Sequence, residues 1–279
     1  MSKKELNFKR KEKKYLILEH SFDQIKEELE QHIPVQIFQG ENCISGIETT
    51  YMDTKDFLLF REYLCRRDFR FKIRLRRYKN DGVFDECYLV ELKVKWDKMS
   101  LKRRFTLPAR LLPAFLKGEN LKKEIKEANQ GFSGAQKTYK IIAQLIELNH
   151  FVPVLRSSYQ RIAFQKKTKH VRVTVDQRVT HEKLLGKPET ATLDAVILES
   201  KISGKSPKWH KKMVNKLSLL RQDRFSKFAT GINSLYFPQR GKYNFNADNE
   251  ADYPMPDNLL KSIELINKVI KIKEEPKQE

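Results

Sequence analysis

The sequence predicts an α+β fold: a closed antiparallel β-barrel of about eight strands, forming a basic tunnel, with helices packed outside. Three observations predict it. Polar and apolar residues alternate with period two through eight segments. On at least five of these segments the polar positions hold Arg or Lys. Between them run stretches of helical periodicity, whose apolar faces could cover the oily side of the strands.

The elements follow in order. KKYLIL (13–18) is the first strand, and residues 21–33 form a helix with Ser21 as N-cap and Asp23 in its first turn. GIETTYMDT (46–54) is a shorter strand. In FRFKIRLRRY (69–78), Phe69, Phe71, Ile73 and Leu75 share one face, while Arg70, Lys72, Arg74 and Arg76 share the other. CYLVELKVK (87–95) sets Tyr88, Val90, Leu92 and Val94 against Leu89, Glu91, Lys93 and Lys95. SLKRRFTL (100–107) opposes Leu101, Arg103 and Phe105 to Lys102, Arg104 and Thr106. Helical segments follow at 108–128, broken near Gly118, and at 135–149. Three more strands come next, SSYQRIAFQ (157–165), HVRVTVDQ (170–177) and AVILESKIS (195–203). An amphipathic helix spans 257–273, before a frayed tail. Residues 1–237 are therefore read as one domain and 238–279 as a C-terminal extension.

Composition narrows the class of partner. The chain has 279 residues, 56 Lys plus Arg against 36 acids, and a formal charge of +20, which points to a polyanion. Cys43, Cys65 and Cys87 are far apart and form no CxxC or Cys/His cluster, so they read as reduced thiols without zinc. The histidines show no ligand spacing and read as surface residues. The N-terminus lacks the apolar stretch of a signal peptide, and no window reaches the ~18 apolar residues of a membrane span. A soluble, cytoplasmic protein is expected. No GxxxxGK[ST] loop is present, so ATP would not be held by a P-loop. Trp96 and Trp209 stand beside lysines, but base stacking is a weak reading of them, and nucleic acid is disfavoured.

A solvent-facing sheet normally mixes signs, because like charges directly opposite one another repel. Several cationic strands side by side suit an inward face better. Burying cations is costly unless anionic oxygens compensate them, and a phosphate chain would supply such oxygens.

The motifs, taken in order, resemble the VTC (vacuolar transporter chaperone) domain. This is the polyphosphate polymerase branch of the triphosphate tunnel metalloenzyme (CYTH-like) superfamily. FKRKEKKY is similar to its opening strand, with Arg10, Glu12 and Lys14 alternating; related phosphatases carry a Glu where this chain has Arg10. KIRLRRY resembles an R-x-R-x-Y strand, VELKVK a Glu-x-Lys strand and SLKRRF an S-x-K-x-R-F segment. YQRIAFQ with VRVTVD, and then AVILESKIS, match the later strands. RFSKF resembles a K-x-S-K-aromatic element whose first lysine is here Arg224, a planar fork in place of a point ammonium.

The resemblance implies transfer of the ATP γ-phosphate to growing inorganic polyphosphate, with Mn²⁺ or Mg²⁺. By carry-over, Arg74, Arg76, Lys93, Lys102, Arg161 and Arg172 serve catalysis. These residues, with Lys14, Lys201, Arg224 and Lys227, would bind phosphate, and Glu199 would bind the metal. Glu12 and Glu91 are second choices for metal, with pairing to Lys14 or Lys93 as their alternative role. Arginines grip two phosphate oxygens and lysines act as point charges. A hard oxygen donor suits either cation. Expected partners are ATP, polyphosphate, pyrophosphate and triphosphate. A tunnel triphosphatase shares the fold, and a non-catalytic polyphosphate- or RNA-binding module is the reading from another class.

Overall fold

The computed structural model describes residues 10–37, 42–96, 99–132, 134–166, 170–223, 225–238 and 255–270. The strands are β1 Arg10–Ile17, β2 Ile44–Asp53, β3 Phe69–Asn80, β4 Val83–Phe84, β5 Cys87–Trp96 and β6 Met99–Pro108. They continue with β7 Val152–Gln165, β8 Val171–Lys183, β9 Thr190–Leu193 and β10 Val196–Ser203. The helices are α1 Phe22–Glu30, α2 Leu58–Leu64, α3 Leu112–Leu116, α4 Lys122–Ala128, α5 Ala135–Asn149, α6 Lys208–Lys216, α7 Lys227–Tyr236 and α8 Asp257–Ile270. Each segment with period-two alternation is a strand. Helices α2, α6 and α7 and the short strands β4 and β9 are additions that alternation did not reveal. Among the described residues no helix is long and apolar enough to cross a membrane.

The fold is α+β with a large antiparallel sheet, but the sheet is not a closed barrel. Its strand order is an open path, β1-β10-β8-β7-β2-β3-β5-β6, with β4 beside β3 and β9 beside β8. The physical reason lies at the two ends of that path. Along β1, Tyr15 bridges to Arg221, and the Gln222 N–H donates to the Lys14 carbonyl at 2.8 Å. Along β6, the Asn129 side chain accepts from the Thr106 N–H and donates to the Thr106 carbonyl, both at 2.8 Å. Each end strand thus satisfies edge groups with a nearby turn or amide instead of with another strand.

The chain divides into two compact units. The first takes the described residues within Met1–Thr49, Arg77–Asp85 and Leu155–Pro238; the second takes those within Thr50–Arg76, Glu86–Val154 and Gln239–Glu279. In the first, one face of β1, β10, β8 and β7 is apolar, and α1 and α6 bury Ile25, Leu29 and Met213 against Tyr15, Phe164, Val173 and Leu198. Ser21 precedes α1 as expected but makes no side-chain capping bond. A register shift between Ser158 and Gln160, with Arg178 at φ 53°, adds a residue to β8. That bulge carries Val179 to the side of Tyr159 and Ile197, where the three pack with Ile47.

In the second unit, Phe71, Ile73, Leu92 and Phe105 form the apolar face and pack against Phe115, Ile125, Tyr139, Ile142 and Leu145 of α3, α4 and α5. Helix α8 adds Leu259 and Ile266 to this core, and Ser262 accepts a buried hydrogen bond from Asn149 at 2.9 Å. Gly118 separates α3 from α4 at φ 79°, a left-handed conformation that suits glycine. Asp53, fully buried, holds the start of α2 by accepting from the Leu59 and Phe60 N–H groups at 2.8 and 3.0 Å. Burial raises its pKa to about 7 although backbone N–H groups from Leu59, Thr54 and Phe60 favour the anion.

Candidate functional site

Antiparallel pairing decides which charged side chains become neighbours, because residues directly opposite point to the same face. In the first unit three rows cross that face. Glu12 lies opposite Lys201, Lys201 opposite Arg172, and Arg172 opposite Gln165. Lys14 lies opposite Glu199, Glu199 opposite Thr174, and Thr174 opposite Ala163. Ile197 lies opposite Asp176 and Asp176 opposite Arg161. The sheet therefore gathers Lys14, Arg161, Arg172, Glu199 and Lys201 on one surface.

Three carboxylates organise that surface. Glu199 meets Lys201 at 2.7 Å and Lys14 at 4.0 Å. Burial pushes its pKa up, but Lys201, Lys14 and Arg161 outweigh burial and hold it well below the usual carboxylate range. Glu12 lies 3.5 Å from Lys14 and 3.9 Å from Lys201, so the two acids share the same two lysines. Lys14 also donates to the Phe225 carbonyl at 3.1 Å.

Asp176 is the third carboxylate, and it has no exposed surface. Arg161 grips it with Nε to Oδ1 at 2.5 Å and Nη2 to Oδ2 at 2.7 Å. Lys227, the first residue of α7, reaches Oδ2 at 2.5 Å. Both cations also lie over the Tyr159 ring, Arg161 at 5.4 Å and Lys227 at 4.5 Å. Burial raises the Asp176 pKa, yet Lys227 and Arg161 bring it down to about 2. Burial depresses Arg161 in turn, but Asp176 holds it well above its ordinary value. Sequence reasoning gave Asp176 no role. The available signal was an acid four residues after Arg172 on the polar face of the same strand.

The second unit has its own rows. Lys72 lies opposite Lys93 and Lys93 opposite Lys102; Arg74 lies opposite Glu91 and Glu91 opposite Arg104. Arg76, itself buried, continues the same face of β3. Glu91 is 1% exposed and accepts from Arg74 through both Nε and Nη2 at 2.8 Å, and from Lys102 at 2.9 Å. Burial raises the Glu91 pKa, but Arg74, Arg76 and Lys102 hold it at about 2. Burial lowers the pKa of Lys102, and Glu91 opposes that shift. Glu91 therefore serves as an ion-pair hub for Arg74 and, diagonally across the sheet, Lys102.

The residues that could hold a metal are few. Among the described residues no group of three His, Cys, Asp or Glu side chains gathers as a metal site would. Glu199 and Glu12 are hard oxygen donors on one face, both engaged by Lys14 and Lys201. That donor set fits Mg²⁺ or Mn²⁺ if phosphate oxygens complete the shell. Arg224 lies outside the described residues.

Two histidines correct the surface reading. His181 and His210 are each 1% exposed. His210 meets Ser206 and Ser200 at 3.2 and 2.9 Å, and His181 meets Ser157 at 2.7 Å. Burial lowers both to about 4, helped by Lys13 at His210 and by Lys227 at His181. The three cysteines are free. Trp209 stacks on His32 at 5.0 Å, and Trp96 packs against Phe69 at 6.4 Å.

The chain matches the VTC domain family over residues 9–236. A curated relative, vacuolar transporter chaperone complex subunit 4 of Schizosaccharomyces pombe, is 23% identical over 275 residues, covering 83% of this chain and 38% of the relative. The subunit of the same name from Trypanosoma brucei brucei is 26% identical over 255 residues, covering 74% of this chain and 32% of its own length. The chain thus spans less than two-fifths of either curated relative. Among solved structures, the PH1819 protein of Pyrococcus horikoshii aligns at TM-score 0.44 and 14% identity, over 81% of this chain and 99% of that one. With the match running through nearly all of both strand groups, this chain belongs to the VTC domain family.

Proposed function

We propose that the chain is a metal-dependent polyphosphate polymerase that transfers the γ-phosphate of ATP to a growing inorganic polyphosphate chain. One observation carries the reading: within each unit, arginines and lysines from neighbouring strands share a single sheet face, as the rows Lys72–Lys93–Lys102 and Lys201–Arg172 illustrate. Acids of the protein already meet part of this charge, Glu91 at Lys102 and Glu199 at Lys201, and an extended polyanion laid across each face would add to that neutralisation. The VTC family match makes polyphosphate the polyanion to test first. A cytoplasmic location belongs to the same proposal.

In this reading Arg74, Arg76, Arg161 and Arg172 grip phosphate oxygens, and Lys14, Lys93, Lys102, Lys201 and Lys227 neutralise charge along the chain. Phosphoryl transfer asks mainly for positioning and charge neutralisation, which these residues supply. Glu199, with Glu12 beside it, would hold Mn²⁺ or Mg²⁺, which when bound neutralises charge on the phosphoryl oxygens. A terminal phosphate oxygen is already anionic, so no protein base is assigned.

The test is incubation of the purified chain with ATP and Mn²⁺, with polymer and free phosphate read separately. Polymer is expected in the wild type and none in Glu199→Ala. Free phosphate without polymer would replace the reading with a hydrolase. Binding of polyphosphate without any turnover would replace it with a binding module.

A further inference from the structure

Asp176 stands out among the buried charges of the first unit. It lies wholly inside a protein of formal charge +20, on a sheet face shared with the phosphate-binding candidates Lys14, Arg161, Arg172 and Lys201. A carboxylate there opposes an anionic ligand, so its presence needs a reason. Its contacts supply one. The acid holds Arg161 in a two-pronged grip from the next strand and Lys227 from the start of α7. Of the five guanidinium N–H groups that an arginine offers, two are spent on Asp176. Lys227 keeps the other donors of its ammonium, and the Tyr159 ring lies beneath both cations.

We propose that Asp176 is a positioning residue: it fixes the guanidinium of Arg161 and the ammonium of Lys227 in one shared orientation, so that both meet the same phosphate chain. The inference rests on the phosphate-binding reading of Arg161 and Lys227 given above. A loose arginine and a loose lysine would each lose side-chain freedom on binding; cations already clamped by a buried acid lose less. The position of Lys227 at the first turn of α7 also ties the start of that helix to β8.

Charge and position predict opposite signs for one substitution, which makes the inference testable. Asp176→Asn removes a negative charge from beside the ligand, and by Coulomb's law alone tripolyphosphate should then bind more tightly. If Asp176 positions its two partners, tripolyphosphate should bind about ten-fold or more weakly, in line with the loss of charge-assisted hydrogen bonds. Isothermal titration with tripolyphosphate would read this in wild type, Asp176→Asn, Arg161→Gln and the double variant. In the Arg161→Gln background the Asp176→Asn effect should shrink to about three-fold or less, because the partner it orients is gone. Equal or tighter binding by Asp176→Asn overturns the proposal, as does the same loss in both backgrounds, which would mark general damage to the fold. Should Asp176→Asn fail to fold, Asp176→Glu keeps the charge and shifts the carboxylate by one methylene. Wild-type affinity in that variant also overturns it. A wild type that binds no tripolyphosphate sinks the phosphate-binding reading itself, a result distinct from wild-type binding that Asp176 leaves untouched.

Discussion

The two units use the same device with different tightness. Each pins an arginine of the adjacent strand, and a lysine from a further element, on one buried carboxylate. In the first unit the side chains of Arg161 and Lys227 are 15% and 11% exposed, around an acid with no exposed surface. In the second, Arg74 is 19% exposed but Lys102 is 46% exposed, so one arm of the clamp around Glu91 stands in water. The second unit also sets three lysines in one row, whereas the first alternates acids with bases across β1 and β10. The contrast separates two ways of keeping cations on a sheet. One interleaves acids among the cations, and the other gathers Arg74 and Lys102 on the single carboxylate of Glu91.

The sharpest way to break this comparison is to remove each carboxylate. Asp176→Ala should cost about 3–5 kcal/mol, because it strands two buried cations. Glu91→Ala should cost less, about 3 kcal/mol or below, because Lys102 can turn further into solvent. Urea denaturation of both variants reads the difference, and equal losses would erase the distinction between the clamps.

Acid sharpens the comparison next. His181 and His210 belong to the first unit, and burial lowers both from 6.5 to about 4. A group whose folded pKa is depressed stabilises above its unfolded pKa, and that contribution is lost as pH falls through the folded value. Stability of the first unit should therefore decline between pH 6.5 and about 4, by roughly 3 kcal/mol at most per histidine. Below that range Glu91 and Asp176, each held at about 2, add further loss in both units as pH falls from about 4 toward 2. Hydrogen exchange at pH 7 and pH 5 should show β7, β8 and β10 opening before β5 and β6.

The smallest expected effect concerns the edges. Asn129→Ala removes the amide that closes β6 at Thr106 and should cost about 2 kcal/mol, measured by thermal unfolding. Self-association at raised protein concentration, read by light scattering, should increase with it.

Much of this was legible in the chain. Period-two alternation locates the strands because one face of each is buried, and Phe71, Ile73, Val173 and Val175 obey it. The cationic faces were legible for the same reason. Closure was not, because it depends on which groups meet the end strands, and the segments that meet them come from distant turns around Asn129 and Arg221. Helix α6 escaped notice because four of its nine residues are lysines and only His210 and Met213 are buried. The burial of His181 and His210 was hidden as well, since it relies on hydroxyls of Ser157, Ser200 and Ser206 brought near by folding. Asp176 was visible as a letter but not as a hub, because Lys227 lies 51 residues away in sequence.

The partly occupied rims of the sheet limit how anything else can join this protein at those stretches. Strand donation needs a row of vacant amides and carbonyls, yet part of β1 is taken by the Arg221–Gln222 turn and part of β6 by a single asparagine. A neighbouring subunit that seeks those stretches must first displace them, so assembly there is steered toward side-chain docking and away from backbone annealing.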